Sequence, residues 1–176
     1  GKTVLRRLLC GLMHPSKGQV IVDGKQLGKD VDFAPDAGII IETPCFLPYL
    51  SGFQNLKELA SIRNIISKEE IAEAMEQVKL DPSSRKHVGK YSLGMRQRLG
   101  IAQAIMERPR YLILDEPMNG LDTQGMEDVR ELLQKQKETG VTVILASHSM
   151  EDIRLLCDTV HRIQDASLIP CTTEFS

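Results

Sequence analysis

Tyr111-Leu112-Ile113-Leu114-Asp115-Glu116-Pro117 is an apolar run that ends in two adjacent carboxylates and a proline. A run without polar interruption predicts a strand buried on both faces, as the strands of parallel sheets are. The chain that follows agrees. A helix is predicted over residues 123–138 with Gly140 as its stop, then a strand over 141–146, a helix over 149–157 and a short strand over 159–163. Strands that alternate with helices make a parallel α/β sheet, and such sheets place ligands at the carboxyl ends of their strands. Asp115 and Glu116 stand at that end of this strand, so they are the first candidates for chemistry.

Upstream, Ser92 stands at the N-cap of a helix whose apolar face is Met95, Leu99, Ala102, Ile105 and Met106, and Pro109 ends it. The pattern from Phe53 to about Leu80 is also helical, broken at Ser67, where Ser67-Lys68-Glu69-Glu70 spaces Ser and Glu as a capping box does. Residues 53–106 are predicted to form a helical subdomain within one domain spanning residues 1–176. Before them come a buried strand over 38–42, a polar loop over 28–35 and a strand over 18–24. That strand enters an Asp23-Gly24 turn, and Lys25-Gln26-Leu27 returns from it as a hairpin at a sheet edge. Residues 1–12 carry Val4, Leu5, Leu8, Leu9 and Leu12 at helical spacing, stopped by Gly11 and Pro15. Arg6 and Arg7, with the Lys and Glu residues of positions 57–90, read as solvated helix faces, and residues 166–176 as a polar tail.

Composition excludes several classes. With 41% hydrophobic and 26% charged residues the chain has the balance of a globular domain, neither disordered nor membrane-spanning. A net charge of -2 gives no electrostatic reason to bind nucleic acid, so none is expected as a partner. Apolar runs such as residues 38–41 and 141–146 fall far short of the roughly 18 residues a membrane helix needs. Cys10, Cys45, Cys157 and Cys171 form no CxxC pair, and His14, His87 and His161 lack metal-ligand spacing, which predicts reduced thiols and no zinc site.

Gly1-Lys2-Thr3 runs directly into the first helix, as the last part of the phosphate-binding pattern GxxxxGK[ST] does. In that pattern backbone amides cradle phosphates, Lys reaches the β/γ-phosphates and Thr holds Mg²⁺. Alone, the tripeptide also fits an ordinary helix start. Asp115-Glu116 at the end of an apolar strand is the corroboration. Asp115 would orient Mg²⁺, directly or through a bound water, and Glu116 would polarise the water that attacks the γ-phosphate.

Tyr91-Ser92-Leu93-Gly94-Met95-Arg96-Gln97-Arg98 makes a family resemblance specific. The segment resembles the signature motif of ATP-binding cassette (ABC) ATPases, usually Leu-Ser-Gly-Gly-Gln, and keeps Ser92 and Gly94 with Leu93 and Met95 in place of Gly and Gln. The chain is thereby similar to the nucleotide-binding domain of an ABC transporter. The resemblance implies a P-loop NTPase α/β core, a mostly parallel sheet with an inserted α-helical subdomain, that binds ATP and Mg²⁺. It places Gly1, Lys2 and Thr3 on the phosphates, Thr3 and Asp115 on the metal, and Ser92 and Gly94 on the γ-phosphate of ATP held by a second ATPase domain. Asn119-Gly120-Leu121-Asp122 resembles the D-loop, adding Asp122 to the nucleotide contacts, and Ser147-His148 resembles the switch histidine, which contacts the γ-phosphate. Glu116 and His148 are then the catalytic pair. Glu42 stands where the family generally has the Q-loop Gln, and as a carboxylate it cannot donate a hydrogen bond when ionised. Ile41-Glu42-Thr43-Pro44, with Tyr49-Leu50-Ser51-Gly52 and Gln54-Asn55-Leu56, resembles the bacterial exporter ATPases that handle bacitracin and lantibiotic peptides.

The resemblance further implies separate transmembrane subunits as partners, a homodimer of ATPase domains, and a place on the cytoplasmic face of the cell membrane. The phosphate-binding pattern begins upstream of Gly1, so the chain is expected to be incomplete at that end and to bind Mg-ATP more weakly than a domain that includes the glycine-rich turn. A non-catalytic ABC fragment and a non-transport ABC ATPase are the alternatives. The second lacks the heptad-bearing insertion or second cassette that it would need.

Overall fold

The computed structural model describes residues 1–41, 44–164 and 167–171. In chain order the elements are α1 (Lys2–Cys10), β1 (Ile21–Val22), β2 (Lys25–Gln26), β3 (Ala37–Ile40), α2 (Gly52–Arg63), α3 (Lys68–Gln77), α4 (Leu93–Ile105) and β4 (Tyr111–Asp115). They continue with α5 (Thr123–Glu138), β5 (Thr142–Ala146), α6 (Met150–Leu156), β6 (His161–Gln164) and β7 (Ser167–Pro170), and a 3₁₀ turn, Val88–Lys90, leads into α4.

β4 lies between β3 and β5, and both neighbours run parallel to it. The register pairs Ile113 with Ile39 on one side and with Ile144 on the other, and it ends with Asp115 opposite Ala146. Leu112 and Leu114 point to one face and Ile113 to the other, yet all three are buried, as the unbroken apolar run requires. Each such burial contributes about 1.5–3 kcal/mol. Leu112 and Leu114 share a core with Leu99, Ile101 and Ile105 of α4, Val129 and Leu133 of α5, and Leu56 and Met75 of α2 and α3. α4 comes so close to β3 that a β-carbon at Gly38 would overlap the Ala104 carbonyl, which fixes glycine there.

Local chemistry explains the boundaries. Ser51 with Gln54 and Ser67 with Glu70 form complete capping boxes at the starts of α2 and α3, and Asn64 closes α2 in the left-handed conformation. Ser92, Asp122 and Ser149 each cap the helix that follows by accepting from the backbone N–H three residues on. Arg98 ties α4 to its neighbours, donating to the Val78 carbonyl at 2.9 Å and to Asp128 at 2.8 Å. That guanidinium holds the Asp128 carboxyl below the usual carboxylate range.

Four expectations are corrected. The Asp23-Gly24 turn forms with both residues at positive φ, but its hairpin is a separate two-stranded sheet. It joins β4 through side chains, Arg110 and Tyr111 both reaching the Asp23 carboxylate. In α1 the buried stripe is Arg6 and Cys10, one turn apart, while Val4 and Leu12 are exposed. Arg6 is therefore not a solvated residue, because a carboxylate inside the fold receives it. Residues 167–170, expected in a polar tail, form β7 antiparallel to β6, since Leu168 and Ile169 sustain a short strand that pairs its backbone groups.

α5 and α6 are joined by a charge pair. Asp152 is 2% exposed and accepts from Arg130 Nε at 2.8 Å, and Arg130 Nη2 also meets Glu151 at 2.7 Å. Replacing Arg130 by Met would leave a buried carboxylate uncompensated, at a cost of about 3 kcal/mol or more. Urea unfolding at neutral pH is expected to show that loss as a lower midpoint at unchanged slope; a loss below about 1 kcal/mol would mean that water or Ser147 suffices for Asp152.

Candidate functional site

α1 starts at Gly1 with no side chain capping its first amides and no acidic residue in its first turn. The N–H groups and positive dipole end of a helix start suit an anion. Lys2 and Thr3 are both exposed there.

The carboxyl end of β4 arrives at the same place. After Asp115 the backbone turns through Glu116 at φ 46°, a left-handed conformation uncommon outside glycine. Two bonds hold it: Glu116 N–H donates to the Ala146 carbonyl at 2.8 Å, and Asn119 N–H donates to the Glu116 carbonyl at 3.1 Å. The turn is fixed from below by Gln97 of α4, whose buried side-chain amide donates to the Pro117 carbonyl at 3.0 Å.

The next strand delivers the third component. After β5, Ser147 and Ser149 flank His148, and Ser149 N–H donates to Ser147 Oγ at 3.0 Å. Ser147 Oγ lies 3.4 Å from Asp152, so the loop is braced by the buried Arg130–Asp152 pair. His148 N–H donates to Glu116 Oε2 at 3.4 Å, and His148 Nε2 stands 3.5 Å from Glu116 Oε1. Lys2 Nζ stands 3.4 Å from His148 Nδ1. Lys2 and Glu116, from separate segments, thus both reach His148, whose side chain is 81% exposed.

Beside them Arg6 Nη2 forms a 2.6 Å ion pair with Asp115 Oδ2 and donates to Thr3 Oγ1 at 3.2 Å. Both side chains of the pair are largely shielded, Arg6 8% and Asp115 14% exposed. Sequence reasoning missed Arg6. The available signal was spacing, since position 6 lies three after Thr3 and four before Cys10, on one helical face. Burial pushes the Cys10 thiol up to about 11, with the nearby Arg6 charge opposing, so this cysteine is an inert core residue.

Thr3 Oγ1 and the Asp115 carboxylate are hard oxygen donors within reach of one guanidinium nitrogen, the donor chemistry that suits Mg²⁺ when phosphates supply further ligands. No group of three or more His, Cys, Asp or Glu side chains able to hold a metal occurs among the described residues.

The remaining candidates make local contacts. Ser92 Oγ accepts from Met95 N–H at 3.2 Å as the cap of α4, and Gly94 packs on the 119–122 segment, where a β-carbon would come within 2.9 Å of the Gly120 carbonyl oxygen. Asp122 Oδ1 is engaged by Gly125 N–H at 2.9 Å. None of the hydrogen bonds or ion pairs found among the described residues joins Ser92, Gly94 or Asp122 to the Lys2–Glu116–His148 group. Glu42 lies outside the described residues.

Among the described residues, no helix is long and apolar enough to cross a membrane. The profile of the family described as ABC transporter matches residues 1–119. The ABC transporter ATP-binding protein YybJ of Bacillus subtilis (strain 168) is 45% identical over 158 residues, which are 90% of this chain and 72% of YybJ. The bacitracin transport ATP-binding protein BcrA of Enterococcus faecalis is 39% identical over 171 residues, 96% of this chain but only 56% of BcrA. In fold, the chain is similar to the ATP-binding cassette MJ0796, solved as a dimer in a post-hydrolysis state with ADP and Pi, at a TM-score of 0.76 and 20% identity over 88% of this chain and 73% of that one. With a parallel sheet that brings a helix N-terminus, two carboxylates and a histidine to one edge, and with these relatives, the chain belongs to the ABC transporter family, among its ATP-binding proteins.

Proposed function

We propose that the chain binds Mg-ATP at the Lys2–Glu116–His148 edge and, as part of the complete ATP-binding subunit, hydrolyses it to drive a transporter. The observation that carries this reading is that Lys2 and Glu116 both reach His148, beside Thr3 and Asp115 at the start of α1. Lys2 and the first amides of α1 hold phosphate oxygens. Mg²⁺, bound by Thr3 and Asp115, supplies charge neutralisation on the phosphates. Glu116 accepts the proton of the attacking water, and His148, already hydrogen-bonded to Glu116, donates to the γ-phosphate. Glu42, which follows β3 in sequence, would meet the metal or its waters.

Ser92, Gly94 and Asp122 serve a second copy in this reading. Ser92 is exposed at the N-terminus of α4, where the helix dipole favours an anion. The MJ0796 cassette was solved as a dimer, which supports pairing of this kind. Residues 53–106 act as a lobe that receives separate transmembrane subunits, which hold this subunit at the cytoplasmic face of the membrane. The likeness to BcrA supports a peptide antibiotic as the exported substrate.

Glu116→Gln should leave ATP binding within about twofold while lowering turnover by a hundredfold or more, because it removes the proton acceptor and keeps its shape. Calorimetry and phosphate release test this, and parallel losses of binding and turnover would refute the assignment to Glu116. Ser92→Arg should spare ATP binding but abolish ATP-dependent dimerisation, since a long cation then occupies the surface a partner's γ-phosphate must approach. Sedimentation with a non-hydrolysable ATP analogue checks it; a dimer that persists would remove Ser92 from the interface.

A further inference from the structure

We propose that Arg6 is a tethered cation in the metal position of this nucleotide site: it neutralises Asp115 while no nucleotide is bound, and Mg-ATP must displace it. This inference rests on the nucleotide-site reading above and deepens it. The residues assigned to Mg²⁺ are Thr3 and Asp115, and a single nitrogen, Arg6 Nη2, contacts both, at 3.2 and 2.6 Å. A guanidinium on these oxygens and a divalent cation on the same oxygens exclude one another by charge and by space.

Burial makes the competition matter. Asp115 is largely shielded, and an unpaired carboxylate there would be costly, so the Arg6 charge stabilises it. The pairing is nevertheless incomplete for Arg6. Its Nε is buried and has no hydrogen-bond partner, the one such side-chain nitrogen or oxygen among the described residues. Leaving a buried donor of a charged group unmade is unfavourable. This position therefore satisfies Asp115 better than it satisfies Arg6, and an arriving phosphate offers the guanidinium acceptors for its free donor. Arg6 then moves from carboxylate to phosphate, and the two oxygens become available to the metal.

Competition and phosphate contact have opposite signatures. With Arg6→Met, ATP in the presence of EDTA loses a cationic partner, and its affinity should fall about tenfold. Mn²⁺, added to the chain saturated with ATP and followed by electron paramagnetic resonance, loses its competitor, and its half-saturating concentration should fall about tenfold. A purely structural role for Arg6 would weaken both together. Because Arg6→Met leaves Asp115 unpaired against an apolar neighbour and can unfold the site, the wild-type chain provides a second readout. The Arg6 Nε–H signal in a ¹⁵N–¹H correlation spectrum should shift when ATP is added and shift again with Mg²⁺.

Opposite shifts in the variant, or the stepwise movement of the Arg6 signal, support the proposal. Mn²⁺ binding unchanged in Arg6→Met, with ATP still bound, overturns the competition and leaves the nucleotide site standing. Absence of ATP-dependent Mn²⁺ binding in wild type and variant alike overturns both.

Discussion

The hydrogen-bonded pairing of β4 between two parallel neighbours is the constraint on which the site depends. It carries the ladder from Tyr111 to Asp115 and extends it one bond further, from Glu116 N–H to the Ala146 carbonyl. That last bond holds Glu116 at positive φ and aligns the end of β4 with the end of β5, so that Glu116 and His148 face one another. The cost of an uncommon backbone conformation, of order 1–3 kcal/mol, is met by surrounding contacts, including the Gln97 bond to the Pro117 carbonyl. Slipping the register by one residue would exchange the two faces of β4 and turn both carboxylates around.

Charge pairing organises the periphery of this edge. Arg6 compensates Asp115, Arg130 compensates Asp152 beneath the His148 loop, and Arg98 joins α4 to Asp128 of α5. Each arginine links separate segments, so side-chain electrostatics carries the site from one segment to the next where hydrogen-bonded backbone does not. Charge in the site is handled by α1 and the strand ends, while the N-termini of α4 and α5 lie together, with Gly94 against Gly120.

Much of this was legible in the sequence because periodicity and capping act locally. The break at Ser67, the N-cap at Ser92, and the helix over residues 123–138 follow from residue types within one turn of each boundary. Asp115, Glu116 and Lys2 could be picked out because each ends a strand or starts a helix, and His148 through its likeness to the switch histidine of ABC ATPases. The burial of Arg6 was not legible, because helical spacing counts apolar residues and cannot see a carboxylate arriving from position 115. The separation of the β1–β2 hairpin from the main sheet, and the pairing of β7 with β6, depend on tertiary partners, which local pattern does not specify.

The central claim is that one edge of the sheet holds nucleotide while the α4 N-terminus awaits a second copy. It is tested most directly by titrating the ¹⁵N-labelled chain with Mg²⁺ and a non-hydrolysable ATP analogue, in a dilute and in a concentrated sample. Amides of residues 2–6, 115, 116, 118, 119 and 147–149 should shift in both samples, and those of residues 92–95 only in the concentrated one. Equal responses of residues 92–95 at both concentrations, or no response at residues 2–6, would contradict the account.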